Sequence, residues 1–565
     1  MNLNFTKLNI KCFDKYIYTL LKMKKKKVII VFMFITAFYS GFGQSIQESE
    51  IPLAPKENRR PDNYKTFNYK YSLDELHQKF SETTMQKAAN QYNKVIETNE
   101  KGKWKATGAS IDSHKTPEWF EDAKFGMFID WGLWSVAGWA KNKKDIAMYP
   151  DWYETWLDTD SATMAYHEKN WGKDFRRDDF IPLFKAEKYN PKQIVGIAKN
   201  AGMKYIVPFC KHHSGFCLWP SSFTQRDAVD MGPKRDLIKP MVEACKKDGI
   251  KFGFYFSIDE WEYPVIDKDG KLKKREWGGK IQPYEPSMEW KASGKIAVND
   301  FFKDYITPQA TEFIDKYSPD LIWYDGDWST NVETTNCTHD IAAYLYNKSE
   351  GRKEVAINDR FGLERGKSLW LKRGDFYCSE FMQKDKEVKE GNHAWEKCRG
   401  ISQSFGYNWQ DTDDNVISSK KFIDMFVDIV SLGGNLLLVV NLDEKGVIPA
   451  VEVSRLNTIG SWLKVNGEGI YATRRFSTSS EGAVDYTQSK DGKYLYAIMK
   501  EWPDQVLKIK SATPIKGSKI ELLGYSKPID WEKSGDEVVI NLPTDLQDER
   551  NRPCEHAWVL KMTIK

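Results

Sequence analysis

The sequence lacks the features that mark several large classes of protein. Its eight cysteines are scattered and form no Cys-x-x-Cys pair, so their spacing favours neither a zinc site nor a disulfide framework. No Gly-x-Gly-x-x-Gly follows the first predicted strand, which argues against dinucleotide binding. No apolar run approaches the about 20 residues that span a bilayer. A hydrophobic share of 41%, with 22 Pro and 37 Gly, excludes a disordered chain, a collagen and a polytopic membrane protein.

Residues 1–43 predict an export signal with an upstream extension. Lys24 to Lys27 precede an apolar run from Val28 to Tyr39, and Gly41-Phe42-Gly43 offers a small-x-small cleavage site. Met23 lies just before the lysines, so residues 1–22 are interpreted as an upstream extension. We therefore expect a protein that is exported, to the periplasm or out of the cell, after cleavage and without a stable membrane span.

The net charge changes when this leader is removed. The whole chain has 84 Lys+Arg and 80 Asp+Glu, a formal +4. Eight of those lysines and one acid, Asp14, lie in residues 1–43, so 76 basic and 79 acidic residues remain, a net charge of −3. This balance gives no reason to expect nucleic acid as a partner.

Aromatic residues are the feature that the chain has in excess. It contains 21 Trp, 27 Tyr and 30 Phe, together 14% of all residues. Aromatic faces pack against the C–H faces of sugars, but they also fill large cores. The composition is therefore compatible with a carbohydrate-active protein without requiring one.

Alternating short apolar runs and amphipathic segments predict an α/β fold. Residues 44–118 are interpreted as an N-terminal extension, with a helix from Ser72 to about Asn99 and a capping box between Ser72 and Glu75. From residue 119 to 474 the alternation favours a (β/α)8-like (TIM) barrel. Residues 475–565 alternate as strands only, which predicts a C-terminal β-sandwich. Six barrel strands are predicted: Phe125–Ile129, Tyr205–Phe209, Phe252–Ser257, Leu321–Tyr324, Val355–Asn358 and Leu436–Asn441.

Polar and aromatic residues gather at the predicted carboxyl ends of these strands, where a barrel of this kind places its active site. They are Asp130, Trp131, Lys211, His212, His213, Tyr255, Asp259, Glu260, Trp323, Asp325, Asp327, Asn358, Asp359 and Arg360. Paired carboxylates among aromatics suit glycoside hydrolysis, in which one carboxylate attacks or stabilises the anomeric centre and another protonates the leaving oxygen.

Several motifs, taken together and in order, resemble those of family-29 α-L-fucosidases of the bacterial, secreted kind. They are FGMFIDWG at 125–132, KHHSGFCLWP at 211–220, GPKRDL at 232–237, WYDGDW at 323–328, NDRFG at 358–362, SFGYN at 404–408 and GGNLLL at 433–438. The resemblance covers about residues 119–475. It implies a (β/α)8-like catalytic domain, a C-terminal β-sandwich and a retaining double displacement.

The resemblance also assigns the two catalytic carboxyls. Asp325 matches the nucleophile, and Asp327 is ranked below it because the motif places the nucleophile two residues after Trp323. Glu380 matches the segment in which many relatives carry the acid/base, with Glu396 as the alternative. A retaining reaction requires the two carboxyl groups to lie about 5–5.5 Å apart, and the acid should have a raised pKa.

The same resemblance implies the residues that contact the sugar. His212 and His213 match contacts to sugar hydroxyls, and Tyr255 and Trp323 match aromatic positions lining the sugar pocket; Trp131 and Trp152 are expected beside them. Three positions depart from the family pattern. Asp130 stands where His is common, Asp151 where Glu is usual, and Ser214 where an acid is common.

These observations predict an exo-acting, retaining α-L-fucosidase that uses neither metal nor organic cofactor. Its expected partner is a fucosylated oligosaccharide or polysaccharide; the oligomeric state is not predicted. The departures leave a related sugar open, either sulfated fucose or α-L-galactose. Basic residues such as Lys141, Lys143, Lys144, Arg176 and Arg177 would have to offset Asp130 for a sulfate to bind. A carbohydrate-binding protein without catalysis is the alternative from another class.

Overall fold

The computed structural model describes residues 51–141, 148–285, 293–326, 332–360, 374–380 and 393–564. Contacts divide the chain into residues 1–53 and residues 54–565. All helices and strands named below belong to the second unit. The predicted export signal and Asp327 lie outside the described residues, as do Lys143 and Lys144.

Eight parallel strands form the central barrel. In chain order they are β1 (Phe125–Asp130), β2 (Tyr205–Lys211), β3 (Lys251–Ser257), β7 (Leu321–Asp325), β8 (Ala356–Ile357), β9 (Tyr377–Glu380), β10 (Trp395–Gly400) and β11 (Asn435–Asn441). Their spatial order is β8-β7-β3-β2-β1-β11-β10-β9. A parallel bridge between Asn358 and Phe376 joins the two ends of this sheet and closes the barrel. Residues 125–130 and 435–441 are buried along their whole length, as expected of strands covered on both faces.

Helices surround the barrel and precede it. They are α1 (Leu73–Lys101), α2 (Gly108–Asp112), α3 (Glu118–Ala123), α4 (Trp134–Ala137), α5 (Tyr153–Trp156), α6 (Ser161–Asn170), α7 (Pro191–Asn200), α8 (Lys239–Asp248), α9 (Thr307–Tyr317), α10 (Val332–Ser349), α11 (Ser419–Ser431) and α12 (Ala450–Asn466). Helix α1 begins with the predicted capping box: the Ser72 side chain accepts from the Glu75 amide and the Glu75 carboxylate accepts from the Ser72 amide. That prediction is confirmed.

A small antiparallel sheet is inserted between barrel strands β3 and β7. It consists of β4 (Glu262–Ile266), β5 (Leu272–Glu276) and β6 (Ile281–Pro283). Because it follows the carboxyl end of β3, it lies at the end of the barrel where an active site is expected.

Eight antiparallel strands form the C-terminal part. They are β12 (Thr473–Glu481), β13 (Val484–Ser489), β14 (Tyr494–Met499), β15 (Val506–Ile509), β16 (Ile520–Leu522), β17 (Pro528–Ser534), β18 (Glu537–Asn541) and β19 (Trp558–Thr563), in the order β12-β13-β14-β19-β16-β17-β18-β15. The sheet curls around one apolar core. The Glu481 carboxylate at the end of β12 accepts from the Lys510 and Ser511 amides just after β15, so the two edge strands approach each other.

The predicted fold class is confirmed, and the structure corrects several elements. In the C-terminal part the sequence predicts strands at residues 494–499, 506–510, 519–523, 538–542 and 556–563, which correspond to β14, β15, β16, β18 and β19. Strands β9 and β10, the inserted sheet and strands β12, β13 and β17 were not predicted. The amphipathic patterns of residues 191–200 and 234–247 predict two helices; α7 spans the first, whereas α8 begins five residues into the second, at Lys239. None of the helices in the described part of the chain combines the length and apolar character that a bilayer crossing requires.

Candidate active site

A cavity of about 290 Å³ opens at the carboxyl ends of the barrel strands. Ligand cavities in proteins commonly measure roughly 300–1,000 Å³, so this one has room for a small ligand such as a single sugar ring. Aromatic residues dominate its walls, together with three carboxyl groups. The lining residues are Phe128, Tyr149, Asp151, Trp152, Trp156, Phe209, Tyr255, Trp323, Asp325, Glu380 and Phe405.

Asp325 ends strand β7 and is held by two side chains. The Tyr255 hydroxyl donates to Oδ2 at 2.5 Å, and Arg360 Nη1 donates to Oδ1 at 2.6 Å. His213 Nε2 lies 3.6 Å from Oδ2. Charge-assisted hydrogen bonds of this kind fix the orientation of a carboxylate. The Asp325 side chain remains 10% exposed, which leaves the carboxylate accessible from the cavity.

Glu380 ends strand β9 on the neighbouring wall of the same cavity. Its Oε1 contacts Nη2 of the guanidinium whose Nη1 binds Asp325. One rigid, planar group therefore contacts both carboxyls. With its side chain 25% exposed, Glu380 can exchange a proton with a bound molecule or with water.

Glu396 has a different environment from Glu380. It lies near the amino end of β10, is fully buried, and accepts hydrogen bonds from the Tyr205 hydroxyl at 2.5 Å and Trp323 Nε1 at 3.1 Å. Burial raises the pKa of Glu396 to about 8. It does not line the cavity. These contacts favour Glu380 over Glu396 as the acid/base.

His213 presents an acceptor nitrogen toward Asp325. The Ser257 hydroxyl donates to the Asp259 carbonyl, so His213 Nδ1, 2.6 Å from Ser257 Oγ, must be the donor in that contact. We therefore assign the ring proton to Nδ1 and a lone pair to Nε2. Burial, reinforced by neighbouring positive groups, keeps the pKa of His213 well below its usual value. A neutral imidazole in this tautomer can accept a hydrogen bond from a sugar hydroxyl.

Asp130, His212 and Asp151 form a second polar group beside the cavity. Trp134 Nε1 donates to Asp130 Oδ1 at 2.9 Å, and His212 Nε2 lies 3.4 Å from Asp151 Oδ2. The ring centroids of Trp134 and His212 are 4.9 Å apart, so the two contacts lie next to each other. Burial lowers the pKa of His212 to about 4, so this imidazole is neutral near pH 7.

The structure corrects the prediction for Trp131 and adds residues that it missed. Trp131 stacks on Tyr189 at 4.7 Å, and its indole N–H donates to the Asp443 carbonyl, so it packs behind the site rather than lining the cavity. Trp152 does line it. The sequence places Arg360 at a predicted strand end but gives it no role, whereas the structure shows it in contact with Asp325 and Glu380. Tyr149 and Phe405, which come from irregular segments, and Trp156, which ends the short helix α5, were also missed.

Two of the basic residues considered for a sulfate are engaged elsewhere. Arg177 donates to the Glu154 carbonyl and pairs with Asp158, and Arg176 pairs with Asp179 and donates to the Phe67 carbonyl. Neither arginine lines the cavity.

A closed (β/α)8 barrel with one carboxylate at a strand end and a second carboxyl on the same guanidinium has the paired carboxyls of a glycoside hydrolase. Comparison with known families agrees. A model of the α-L-fucosidase family matches residues 91–468, and a model of the α-L-fucosidase C-terminal domain matches residues 478–563. The chain belongs to the α-L-fucosidase family.

Similar proteins include enzymes of animals and a bacterium. The tissue α-L-fucosidase of Bos taurus is 33% identical over 465 residues, covering 80% of this chain and 90% of the bovine one. The plasma α-L-fucosidase of Homo sapiens is 31% identical, covering 81% and 92%. The crystal structure of Thermotoga maritima α-fucosidase in complex with fucose is similar with a TM-score of 0.66 and 30% identity, over 82% of this chain and 100% of that one.

Proposed function

We propose that this chain removes a terminal α-L-fucose from a glycan by double displacement, with Asp325 as nucleophile and Glu380 as acid/base. The observation that carries the proposal is the Arg360 guanidinium, which holds both carboxyls at one small, aromatic-walled cavity. The cavity accommodates one sugar ring, which suits an exo-acting enzyme.

In the first step Asp325 Oδ2 or Oδ1 attacks the anomeric carbon while Glu380 gives its proton to the glycosidic oxygen. The C–O bond to the leaving glycan breaks, and a fucosyl ester of Asp325 forms. Tyr255 and Arg360 hold the carboxylate in the attacking orientation throughout. His213 Nε2, beside Asp325, is placed to accept from a hydroxyl next to the reacting carbon.

In the second step Glu380, now ionised, takes a proton from water as that water attacks the anomeric carbon. The ester bond breaks, Asp325 leaves as a carboxylate, and Glu380 regains its proton. Two displacements at one carbon return the original configuration, so the product is α-L-fucose. The Tyr255 and Arg360 donors also stabilise the departing carboxylate.

The first experiment replaces the nucleophile. We expect Asp325→Gly and Asp325→Asn to lose about 10³-fold or more of the rate of fucose release from an aryl α-L-fucoside. Added azide should restore turnover in Asp325→Gly and give fucosyl azide of inverted configuration, because azide occupies the vacated nucleophile position. In Glu380→Gly, azide should instead yield an azide of retained configuration.

Glu396→Gln serves as the matched control, since it changes a buried carboxyl that does not line the cavity. It should keep the aryl-fucosidase activity and give no azide product. Wild-type activity in Asp325→Gly would remove the nucleophile assignment, and an azide product from the Glu396 variant would transfer the acid/base role to Glu396. Sugar-dependent stabilisation of the unaltered chain without turnover would identify a binding protein.

A related sugar remains the second candidate, and Asp130 is the observation that favours it. Asp130 and Asp151 add two carboxyls beside the ring, where an extra hydroxyl on the sugar would find acceptors. Comparing kcat/KM for aryl α-L-fucoside, α-L-galactoside and sulfated fucoside tests this. A preference for the galactoside would replace fucose as the proposed glycone.

We also propose that the protein is exported and that residues 475–565 brace the barrel as a separate domain. The leader pattern in residues 1–43 supports export. Ion pairs between the C-terminal strands and barrel helices support the bracing role. Mass spectrometry of the processed N-terminus tests the cleavage site.

A further inference from the structure

A groove of about 590 Å³ opens in the C-terminal sheet. It is lined by residues from the turn before β16, in segment 513–519, and from β17, in segment 528–533. The pairing between these two strands ends at Ile520 and Ile529, so the chain segments beyond that pair are free to diverge. The groove shares no residue with the catalytic cavity and is about twice as large.

Trp531 provides the aromatic surface of this groove. Its side chain is half-buried, because part of it packs against the core of the C-terminal sheet. The indole N–H donates to the Ser518 carbonyl at 2.8 Å, which ties β17 to the turn and fixes the orientation of the ring. The exposed Pro528 adds apolar surface to the same groove. An aromatic ring held in this way suits the C–H face of a sugar.

Side chains that only donate and side chains that only accept accompany this ring. They are the ammonium groups of Lys516, Lys519 and Lys533 and the carboxylates of Asp530 and Glu532, all of them exposed. Within the described part of the chain, none of these five side chains takes part in a hydrogen bond or an ion pair. On strand β15 and just after it, by contrast, Lys508 and Lys510 contact Glu537 at 3.6 and 3.5 Å. Charges are therefore paired elsewhere on this sheet and unpaired at the groove.

The Ser518 side chain adds an unsatisfied group to the groove lining. Its hydroxyl oxygen is shielded from solvent and has no hydrogen-bond partner among the residues that the structure describes. Buried polar atoms are normally paired, so this hydroxyl is open to a ligand or to a water that bridges to one.

We propose that this groove is a second, non-catalytic glycan-binding site, which holds a neutral stretch of the polymer that carries the fucose. Hydroxyls of a neutral sugar both donate and accept, so they satisfy the lysines and the carboxylates alike, while the Trp531 face packs against the ring. Asp530 and Glu532 disfavour a densely sulfated chain. The inference takes its ligand class from the proposed function, but its residues are separate from the catalytic ones.

Such a site acts only on large substrates. The catalytic cavity has room for one sugar ring and makes few contacts with the rest of a glycan. A groove that holds another part of the polymer raises the local concentration of terminal sugars at the enzyme. An aryl α-L-fucoside has no such part, so its hydrolysis should not depend on the groove.

Affinity gel electrophoresis through fucosylated xyloglucan, a neutral polysaccharide, tests the binding. L-Fucose at saturating concentration is included, so that the catalytic cavity is filled and only other sites retain the protein. The parent should be retarded, and Trp531→Ala should lose about 2- to 10-fold of the affinity. The double variant Lys519→Ser/Asp530→Ser changes only exposed side chains and should also bind more weakly, which keeps the test decisive if Trp531→Ala does not fold.

Trp502→Ala is the matched control. Trp502 is another half-buried tryptophan of the same sheet, but its ring packs against Trp558 at 5.1 Å and does not line the groove. This variant should be retarded like the parent. Thermal unfolding of every variant confirms that the proteins compared are folded.

Kinetics provide a readout that a merely structural role would not give. In Trp531→Ala, KM for fucose release from xyloglucan should rise about 2- to 10-fold, whereas kcat/KM for the aryl α-L-fucoside should stay unchanged. A general disturbance of the fold would lower both activities together.

The outcomes separate this inference from the proposed function. Absence of retardation of the parent, or equal retardation of the parent and the groove variants, overturns the second site and leaves the fucosidase intact. Stronger retardation by a sulfated fucan than by xyloglucan overturns the neutral ligand, and a dimer in sedimentation that Trp531→Ala dissolves would assign the groove to a second copy of the chain. If the parent releases no fucose from the aryl fucoside, the proposed function fails instead.

Discussion

At the scale of single residues, burial separates Glu380 from Glu396 although the two side chains are chemically identical. Glu380 is partly exposed and contacts a guanidinium in the cavity, whereas Glu396 is enclosed below it by Tyr205 and Trp323. A carboxyl in a dry, cation-free site holds its proton to higher pH. A raised pKa alone would select Glu396 as the acid, whereas the position of Glu380 on the wall of the cavity supports our proposal of Glu380 for that role.

The Glu396→Gln variant should change the pH dependence of stability. With a pKa of about 8 in the folded state and an ordinary one near 4.3 when unfolded, Glu396 binds more protons folded than unfolded between these values. Its contribution to the free energy of unfolding therefore falls as pH rises through that window and levels off above it. Since Gln does not titrate, the free energy of unfolding of the variant should increase relative to that of the parent between pH 5 and 8, by on the order of a few kcal/mol.

Thermal unfolding of both proteins at several pH values measures this gain. Glu354→Gln, which changes an exposed carboxyl, is a suitable control, and its Tm should change with pH in the same way as that of the parent. A constant difference in Tm between Glu396→Gln and the parent across pH would show that Glu396 is ionised in the folded protein.

The sequence predicts strand-end residues well and their neighbours less well. Asp325, Tyr255 and Trp323 could be placed because short apolar runs end at or beside them and the site of a barrel lies at those ends. Trp131 also follows a strand directly, but its ring turns to Tyr189, which only the three-dimensional packing reveals. Arg360 escaped assignment because its partner carboxyls lie 35 and 20 positions away in the chain.

At the scale of elements, the inserted sheet β4–β6 is fixed to the barrel through one buried ion pair. Asp259, just beyond β3, accepts from Arg275 Nη1 at 2.5 Å and from the Gly278 amide at 3.1 Å, and the two side chains are 0% and 4% exposed. The Arg275 guanidinium also stacks on Phe301 at 4.0 Å. Arg275 and Gly278, the residues that contact Asp259, lie on either side of Trp277 in the chain, and the Trp277 ring lies 4.7 Å from that of His213.

Breaking this pair on one side should destabilise the protein strongly. Asp259→Asn and Arg275→Met each leave a buried charge without its counter-ion, and we expect a loss of about 3–5 kcal/mol for each. The double variant buries no charge and should lose clearly less than the two single variants together. Urea unfolding of the parent, the two single variants and the double variant measures these losses. Lys101→Met is the control: it breaks an exposed ion pair with Glu97 and should not change the free energy of unfolding measurably. Strict additivity would show that the pair is not coupled.

The elements that the sequence failed to predict share a physical cause. Strand β10 reads Trp-Glu-Lys-Cys-Arg-Gly and β9 reads Tyr-Cys-Ser-Glu. Both are short and carry charged residues, because Glu396, Lys397 and Glu380 occupy barrel positions that elsewhere hold apolar side chains. Long apolar strands such as β11 are visible from composition, whereas polar interior strands become evident only when their neighbours are in place.

At the scale of the whole molecule, ion pairs tie the C-terminal sheet to the barrel. Lys500 at the end of β14 contacts Asp428 of α11 at 2.6 Å and Asp485 of β13 at 2.9 Å. Lys490 contacts Asp122 of α3 at 2.5 Å. Such a contact surface couples the stability of the two parts to the protonation of its acids, because burial raises the pKa of Asp485 to about 7.

The balance of buried titratable groups then sets the pH at which the molecule is most stable. Among the described residues, burial raises the pKa of Asp130 and Asp151 well above the usual value, of Glu396 and Glu452 to about 8, of Asp485 to about 7, and of Asp227, Asp340 and Asp411 to about 6. Each is protonated when folded and ionised when unfolded over part of the range from pH 5 to 8, so each lowers stability as pH rises. Basic groups whose pKa is lowered by burial act oppositely, among them His213, whose pKa lies well below its usual value. His212, with a pKa lowered to about 4, and Lys124, with one lowered to about 8, favour stability at higher pH.

Since the acids outnumber the opposing groups, we expect the protein to be more stable at pH 5.5 than at pH 8. Near neutrality the two glutamic acids dominate, which corresponds to a slope of roughly 2 kcal/mol per pH unit and a Tm lower by several degrees at pH 8. Thermal unfolding at constant ionic strength measures it, and the Glu396→Gln/Glu452→Gln double variant should flatten the slope. A Tm that rises from pH 5.5 to pH 8 would mean that these acids are ionised in the folded protein, and the mildly acidic optimum would be wrong.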